Sequence, residues 1–147
     1  MDEILEEVKE AMKSEDPDVS VEEMTMLFLG GEPNQDGYYP FVSILVTPRS
    51  AGYWTLDEVV EAEDAYGRMY TQGYHVISRT KTIVDGREAV IDDTVDNEPG
   101  YGKWRYLQMI TVKDKLVWLV TCGSEYDDFK PYEDMFDDIV RSLRILG

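Results

Sequence analysis

"YHVISRTKTIVDGREAVIDDTVD", Tyr74 to Asp96, decides the fold of this chain. Two runs rich in β-branched residues flank Asp85-Gly86, a dipeptide suited to the positive backbone angles of a tight hairpin turn. The segment therefore predicts two antiparallel strands. After the loop "NEPGYG", the runs "KWRYLQMITV" and "KLVWLVTCG" repeat the pattern across "KDK", a second hairpin. Together these four strands form a meander, and a meander with apolar faces must be covered.

Working outward, "FVSILVTP" (41–48) reads as a further strand stopped by Pro48, and Met24 to Leu29 as one before it. Gly30, Gly31, Pro33, Asn34 and Gly37 mark the loop between them. The paired glycines do not make a phosphate-cradling loop, because neither a lysine nor a helix start follows.

Three helices are predicted. Over 2–14, Ile4, Leu5, Val8, Ala11 and Met12 recur at three- and four-residue spacing with Met1, on an otherwise acidic segment ending before Pro17. Over 55–71, Thr55 and Glu58 have capping-box spacing, and Gly73 is placed to end the helix in a left-handed conformation. Leu56, Val59, Val60, Tyr66, Met69 and Tyr70 are the expected buried stripe. Over 125–143, Tyr132, Met135, Phe136, Ile139, Val140 and Leu143 are expected to line one apolar face. This order of elements reads as α+β, one domain over 1–147 with helices covering an antiparallel sheet of about six strands.

Composition narrows the function. Thirty-one acidic residues against fourteen basic ones give a net charge of −17, which repels phosphate backbones and anionic headgroups. Neither nucleic acid nor membrane insertion is expected; the partner is expected to be a protein. Cys122 is the only cysteine and His75 the only histidine, so an intrachain disulfide and Cys/His zinc sites are excluded. The chain begins with no cationic-then-apolar leader and has no apolar run of membrane-spanning length. It reads as soluble as given, with an extracytoplasmic home expected if a signal or lipoprotein segment precedes Met1 in the natural protein.

Candidates for chemistry are few. Cys122 ends the apolar run "KLVWLVTC" and is expected to be a packed, inert thiol. His75, at a strand start after a glycine, is expected to be a surface or edge residue, and no G-x-S-x-G elbow marks a nucleophile. Asp92 and Asp96 fall on one side of their strand and Asp93 on the other, within the apolar row Ala89, Ile91, Val95; Asp93 should have a raised pKa or a basic partner. The stretch "SEYDDFKPYEDMFDDIV" (124–140) carries seven carboxylates. Adjacent Asp residues such as Asp137 and Asp138 project at diverging angles of ~100° per residue step, so the helix alone cannot converge such pairs on one ion, and ligands from a neighbouring loop would be needed. A solvated face is the expected reading, and a weak divalent-cation site using Asp134, Asp137 and Asp138, or Asp127 and Asp128, the alternative. Tyr38, Tyr39, Tyr53, Trp54 and Tyr101 lie in or beside loops, where aromatics mark a binding surface or pack over the sheet ends.

From Phe41 to Ile145 the chain resembles the PsbP-like family. The resemblance rests on "FVSILVTP", "TLDEVVEA", "GYHVISRTKTIVDGREAVI", "RYLQMITVKDKLVWLVTC" and the final helix region, above all Gly86-Arg87-Glu88-Ala89 and the Tyr126, Pro131, Ser142 signature. It implies an α/β/α sandwich with a central antiparallel sheet, and a non-enzymatic accessory or binding protein of the kind often exported in bacteria. The superfamily also holds a Ran-binding import factor and DcrB-like proteins, and its plant photosystem members are credited with cation retention. On these grounds no catalytic, metal-ligating or cofactor-binding residue is assigned, no cofactor is expected, and the expected role is that of a non-catalytic module acting through protein contacts.

Overall fold

The computed structural model describes residues 23–28, 33–48, 55–113 and 116–145. The expected helix at 2–14, Leu29, Tyr53 and Trp54 lie outside them. Six strands form one antiparallel sheet: β1 (Glu23–Phe28), β2 (Phe41–Pro48), β3 (His75–Val84), β4 (Arg87–Glu98), β5 (Gly102–Lys113) and β6 (Leu116–Glu125), in the order β1-β2-β6-β5-β4-β3. Two helices are described, α1 (Leu56–Tyr70) and α2 (Phe129–Arg141), the latter entered through a 3-10 turn at Tyr126–Asp128.

Both hairpins form as the sequence predicts. Asp85 and Gly86 take φ of 52° and 74°, placing Val84 opposite Arg87, while Lys113 pairs with Leu116 across the second turn. The expected capping box starts α1: Thr55 Oγ1 accepts the Glu58 N–H at 3.2 Å, and Glu58 Oε1 accepts the Thr55 N–H at 3.1 Å.

The period-two alternation of the strands sends two apolar sets to opposite faces. Val42, Ile44, Val46, Ala89, Ile91, Met109, Trp118, Val120 and Cys122 pack beneath Phe129, Phe136 and Val140 of α2 and Leu143 just beyond it. Val90, Ile110, Val117 and Leu119 meet Val59 and Val60 of α1. The result is an α/β/α sandwich whose α2 side holds the larger core.

Two parts of the helix reading are corrected. Tyr66, Met69 and Tyr70 are 63%, 71% and 66% exposed and face solvent. The face that α1 turns to the sheet continues from Val59 and Val60 to Glu63, Asp64 and the buried Gly67, because polar residues of the sheet lie beneath its second half. Gly67 is required there: a Cβ would stand 2.7 Å from the Tyr74 ring. The last helix is α only from Phe129, and Met135 is 49% exposed; Phe129 takes the buried place, in edge contact with Phe136 at 5.5 Å between ring centres.

Candidate functional site

The loops at one end of the sheet build a concave surface. The β4–β5 connection carries Gly100 and Gly102 at positive φ, 87° and 78°, which brings Tyr101 to the hairpin tip, 63% exposed. Its carbonyl accepts the Trp104 indole N–H at 2.9 Å. Trp104 in turn stands edge-on to Tyr38 at 5.3 Å and stacks with Tyr106 at 6.4 Å, and Phe41 lies within 6.2 Å of both Trp104 and Tyr106. Gly123 makes this possible, since a Cβ there would stand 2.6 Å from Tyr106 and 2.9 Å from Phe41. Side chains from two stretches far apart in the chain, 38–41 and 104–106, thus form one aromatic row.

Beside the row lies an open groove of about 490 Å3 lined by Asp36, Tyr38, Tyr101, Lys103, Glu125 and Tyr126, with Asp127 and the two glycines at its edge. Lys103 Nζ sits 3.8 Å above the Tyr126 ring. Asn34 organises the opposite wall: its Oδ1 accepts the Asp36 and Tyr38 N–H groups at 3.0 and 2.9 Å, and its Nδ2 donates to Asp128 Oδ2 at 2.7 Å. Burial, then a hydrogen bond to Asp36, then the charges of Asp36 and Asp128 push the Glu125 carboxyl up from its usual range. Three carboxylates and one lysine make the groove acidic.

A second, smaller cleft of about 220 Å3 lies under the C-terminal half of α1, against β4, β5 and β6. At its border Arg79 forks onto Asp92 with Nε and Nη2 at 2.7 and 2.9 Å and reaches Asp64 of α1 at 3.5 Å. Tyr74 O–H donates to Asp64 at 3.2 Å, and Arg68 Nη2 lies 2.9 Å from the same carboxylate. Within the cleft, burial raises the Glu63 and Asp96 carboxyls, Asp96 being hydrogen-bonded by the Tyr106 hydroxyl.

The residues singled out in the sequence distribute as follows. Asp93 has the basic partner expected of it: Arg105 Nη2 and Nε lie 2.7 and 3.0 Å from its two oxygens. Cys122 is packed as expected, fully buried, and burial pushes its thiol up to about 12, which disfavours the reactive thiolate. His75 is exposed at the first position of edge strand β3. Asp137 bonds Arg141 one turn on at 3.0 Å, and Asp134 and Asp138 are exposed. Among the described residues no three His, Cys, Asp or Glu side chains are arranged to hold a metal ion. Tyr38 and Tyr101 do converge. Asp36 and Glu63 escaped the sequence reading, Asn34 was read only as a loop marker and Glu125 only as one of seven carboxylates, and only the Asn34-Gln-Asp36 turn motif could have signalled part of the groove.

No family model matches this chain, and no curated protein matches it. Solved structures do share its fold. PA94 of Pseudomonas aeruginosa, a protein of unknown function, superposes with a TM-score of 0.70 at 15% identity, over 86% of this chain and 85% of that one. The cyanobacterial PsbP (CyanoP) of Synechocystis superposes with a TM-score of 0.59 at 11% identity, over 84% and 82%. LpqN, involved in cell envelope biogenesis of Mycobacterium tuberculosis, gives 0.54 at 10% identity, over 87% and 84%. The fold is therefore PsbP-like, and at these identities the likeness concerns fold alone.

Proposed function

We propose that this protein is a non-catalytic PsbP-like accessory module that works through protein contacts at the loop end of its sheet. One observation carries the reading: exposed aromatics from separate loops converge with Asp36, Glu125 and Lys103 on a single groove. Aromatic residues are enriched where proteins meet, and the acidic lining selects a partner segment bearing lysine or arginine together with apolar side chains. Its two candidate partners in nucleophilic chemistry support a non-enzymatic role: the Cys122 thiol is sealed in the α2 core and His75 lies on the edge strand. The envelope connection of LpqN supports an extracytoplasmic setting, and among the described residues no helix is long and apolar enough to cross a membrane.

The alternative, a weak divalent-cation site on the acidic C-terminal helix region, gains no support from the geometry: among the described residues no three acidic side chains are arranged to hold an ion, Asp137 bonds Arg141 and Asp128 accepts from Asn34. Turnover by the purified protein on hydrolase or redox substrates contradicts the non-catalytic part of the proposal. Its contact part is tested by placing a photoreactive residue at Tyr101: a discrete cross-linked partner is expected there, and none from the outer face of α2.

A further inference from the structure

We propose that the cleft beneath the C-terminal half of α1 binds a small organic ammonium compound, a primary or quaternary alkylammonium ion. This cleft shares no lining residue with the sheet-end groove, although Tyr106 belongs both to it and to the aromatic row beside that groove. At about 220 Å3 the cleft is smaller than the roughly 300–1,000 Å3 of pockets that enclose drug-sized ligands, so its occupant has only a few heavy atoms. Its walls include Tyr66, Tyr74 and Tyr106 and the two acids Glu63 and Asp96, with three threonines and Gln108 completing a polar lining.

Two of those rings rest directly on backbone. The Tyr74 ring lies where a Cβ of Gly67 would be 2.7 Å away, and the Tyr106 ring where a Cβ of Gly123 would be 2.6 Å away. Both are thereby held in place before a ligand arrives, which lowers the ordering cost of binding.

The charge balance sets the ligand class. At the border, Asp64 and Asp92 are matched by Arg68 and Arg79. Within the cleft, neither Glu63 nor Asp96 has a cationic partner among the described residues; Asp96 has only the Tyr106 hydroxyl. Carboxylates that the fold leaves uncompensated, set beside aromatic rings, attract an ammonium group by charge, and a ring that turns its face to the ligand adds the attraction of its quadrupole. An anion is repelled there, and a neutral apolar ligand desolvates two acids without compensation.

The test is titration of the intact protein with choline, tetramethylammonium and putrescine chlorides at fixed ionic strength, followed by amide and side-chain NMR shifts. 3,3-Dimethylbutanol, the uncharged analogue of choline, serves as control. Saturable shifts centred on Gly67, Tyr74, Thr94 and Gln108 are expected with at least one cation, and binding of the alcohol weaker by about tenfold or more. Glu63→Gln and Asp96→Asn should each weaken the cation about tenfold, while Asp137→Asn, which removes the same charge from α2, leaves it unchanged. Glu63→Gln keeps the side-chain shape, so loss of binding with an unaltered spectrum is not a folding defect. Shifts that do not saturate with any of the three cations, that spread over the acidic face of α2, or that survive both cleft substitutions overturn the proposal.

Discussion

Arg105 and Asp93 form a two-pronged ion pair on the α2 face of the sheet, with Nη2 2.7 Å from Oδ2 and the guanidinium centred 4.4 Å above the Phe129 ring. The side chains are only 20% and 13% exposed, so this pair sits where charge is costly unless matched. The hydrogen bond to Asp93 is the largest reason the Arg105 guanidinium holds its proton more tightly than usual. Asp93→Ala leaves Arg105 over Phe129 with only the longer contact to Glu133, at 3.8 Å, and should cost about 2–4 kcal/mol in urea denaturation. The double substitution Asp93→Leu with Arg105→Met should cost less than Asp93→Ala alone.

Gly123 is the seat of the aromatic row. Gly123→Ala places a methyl 2.6 Å from Tyr106 and 2.9 Å from Phe41, and both rings must move. A loss of roughly 1–3 kcal/mol is expected from the overpacking. Near-ultraviolet circular dichroism should change with it, because the Trp104–Tyr106 stack is disturbed.

Stability should decline in alkaline solution well before arginine titrates. Burial and the neighbouring Asp64 push the Tyr74 hydroxyl from 10.0 up to about 12, and burial pushes the Cys122 thiol from 9.0 up to about 12. Between those values the unfolded chain has released protons that the native state still holds, so stability falls as pH rises. The urea midpoint should be insensitive to these groups below pH 9.0 and then fall toward pH 12. Cys122→Ala should remove the earliest part of that fall, and a flat alkaline profile contradicts the burial of both groups.

Divalent cations should act only as weak, non-specific counterions of the −17 charge. With chelator-treated protein at fixed ionic strength, calcium, magnesium, manganese and zinc should give the same small, non-saturating rise in Tm. A saturable rise for one ion at micromolar concentration, abolished by Asp137→Asn with Asp138→Asn, revives the cation reading.

Much of this architecture is legible in the sequence because local chemistry and global pairing agree. Asp85-Gly86 demands a hairpin, Thr55 and Glu58 cap a helix, and the alternation through Val42, Ile44 and Val46 assigns a face. The second half of α1 is different. A period of 3.6 permits the apolar stripe to continue to Tyr66, Met69 and Tyr70, and hydrophobicity selects that path. The helix instead turns Glu63, Asp64 and Gly67 inward, because Arg79 and Asp92 of distant strands supply the partner network and Gly67 admits the Tyr74 ring. Tyr38 and Tyr101 were recognisable as loop aromatics. Their convergence was not, since the groove depends on pairs such as Asn34 and Asp128, 94 residues apart.

The most direct test of the contact reading is photocross-linking from position 101 in an extract of the native organism, followed by reconstitution with the purified partner. The account predicts one discrete adduct whose binding to the unlabelled protein is weakened at least about tenfold by Tyr101→Ala and by Asp36→Asn with Glu125→Gln. Asp137→Asn on α2 should leave that affinity unchanged. A partner that cross-links equally from the outer face of α2, or that binds the groove variants as tightly as the wild type, contradicts it.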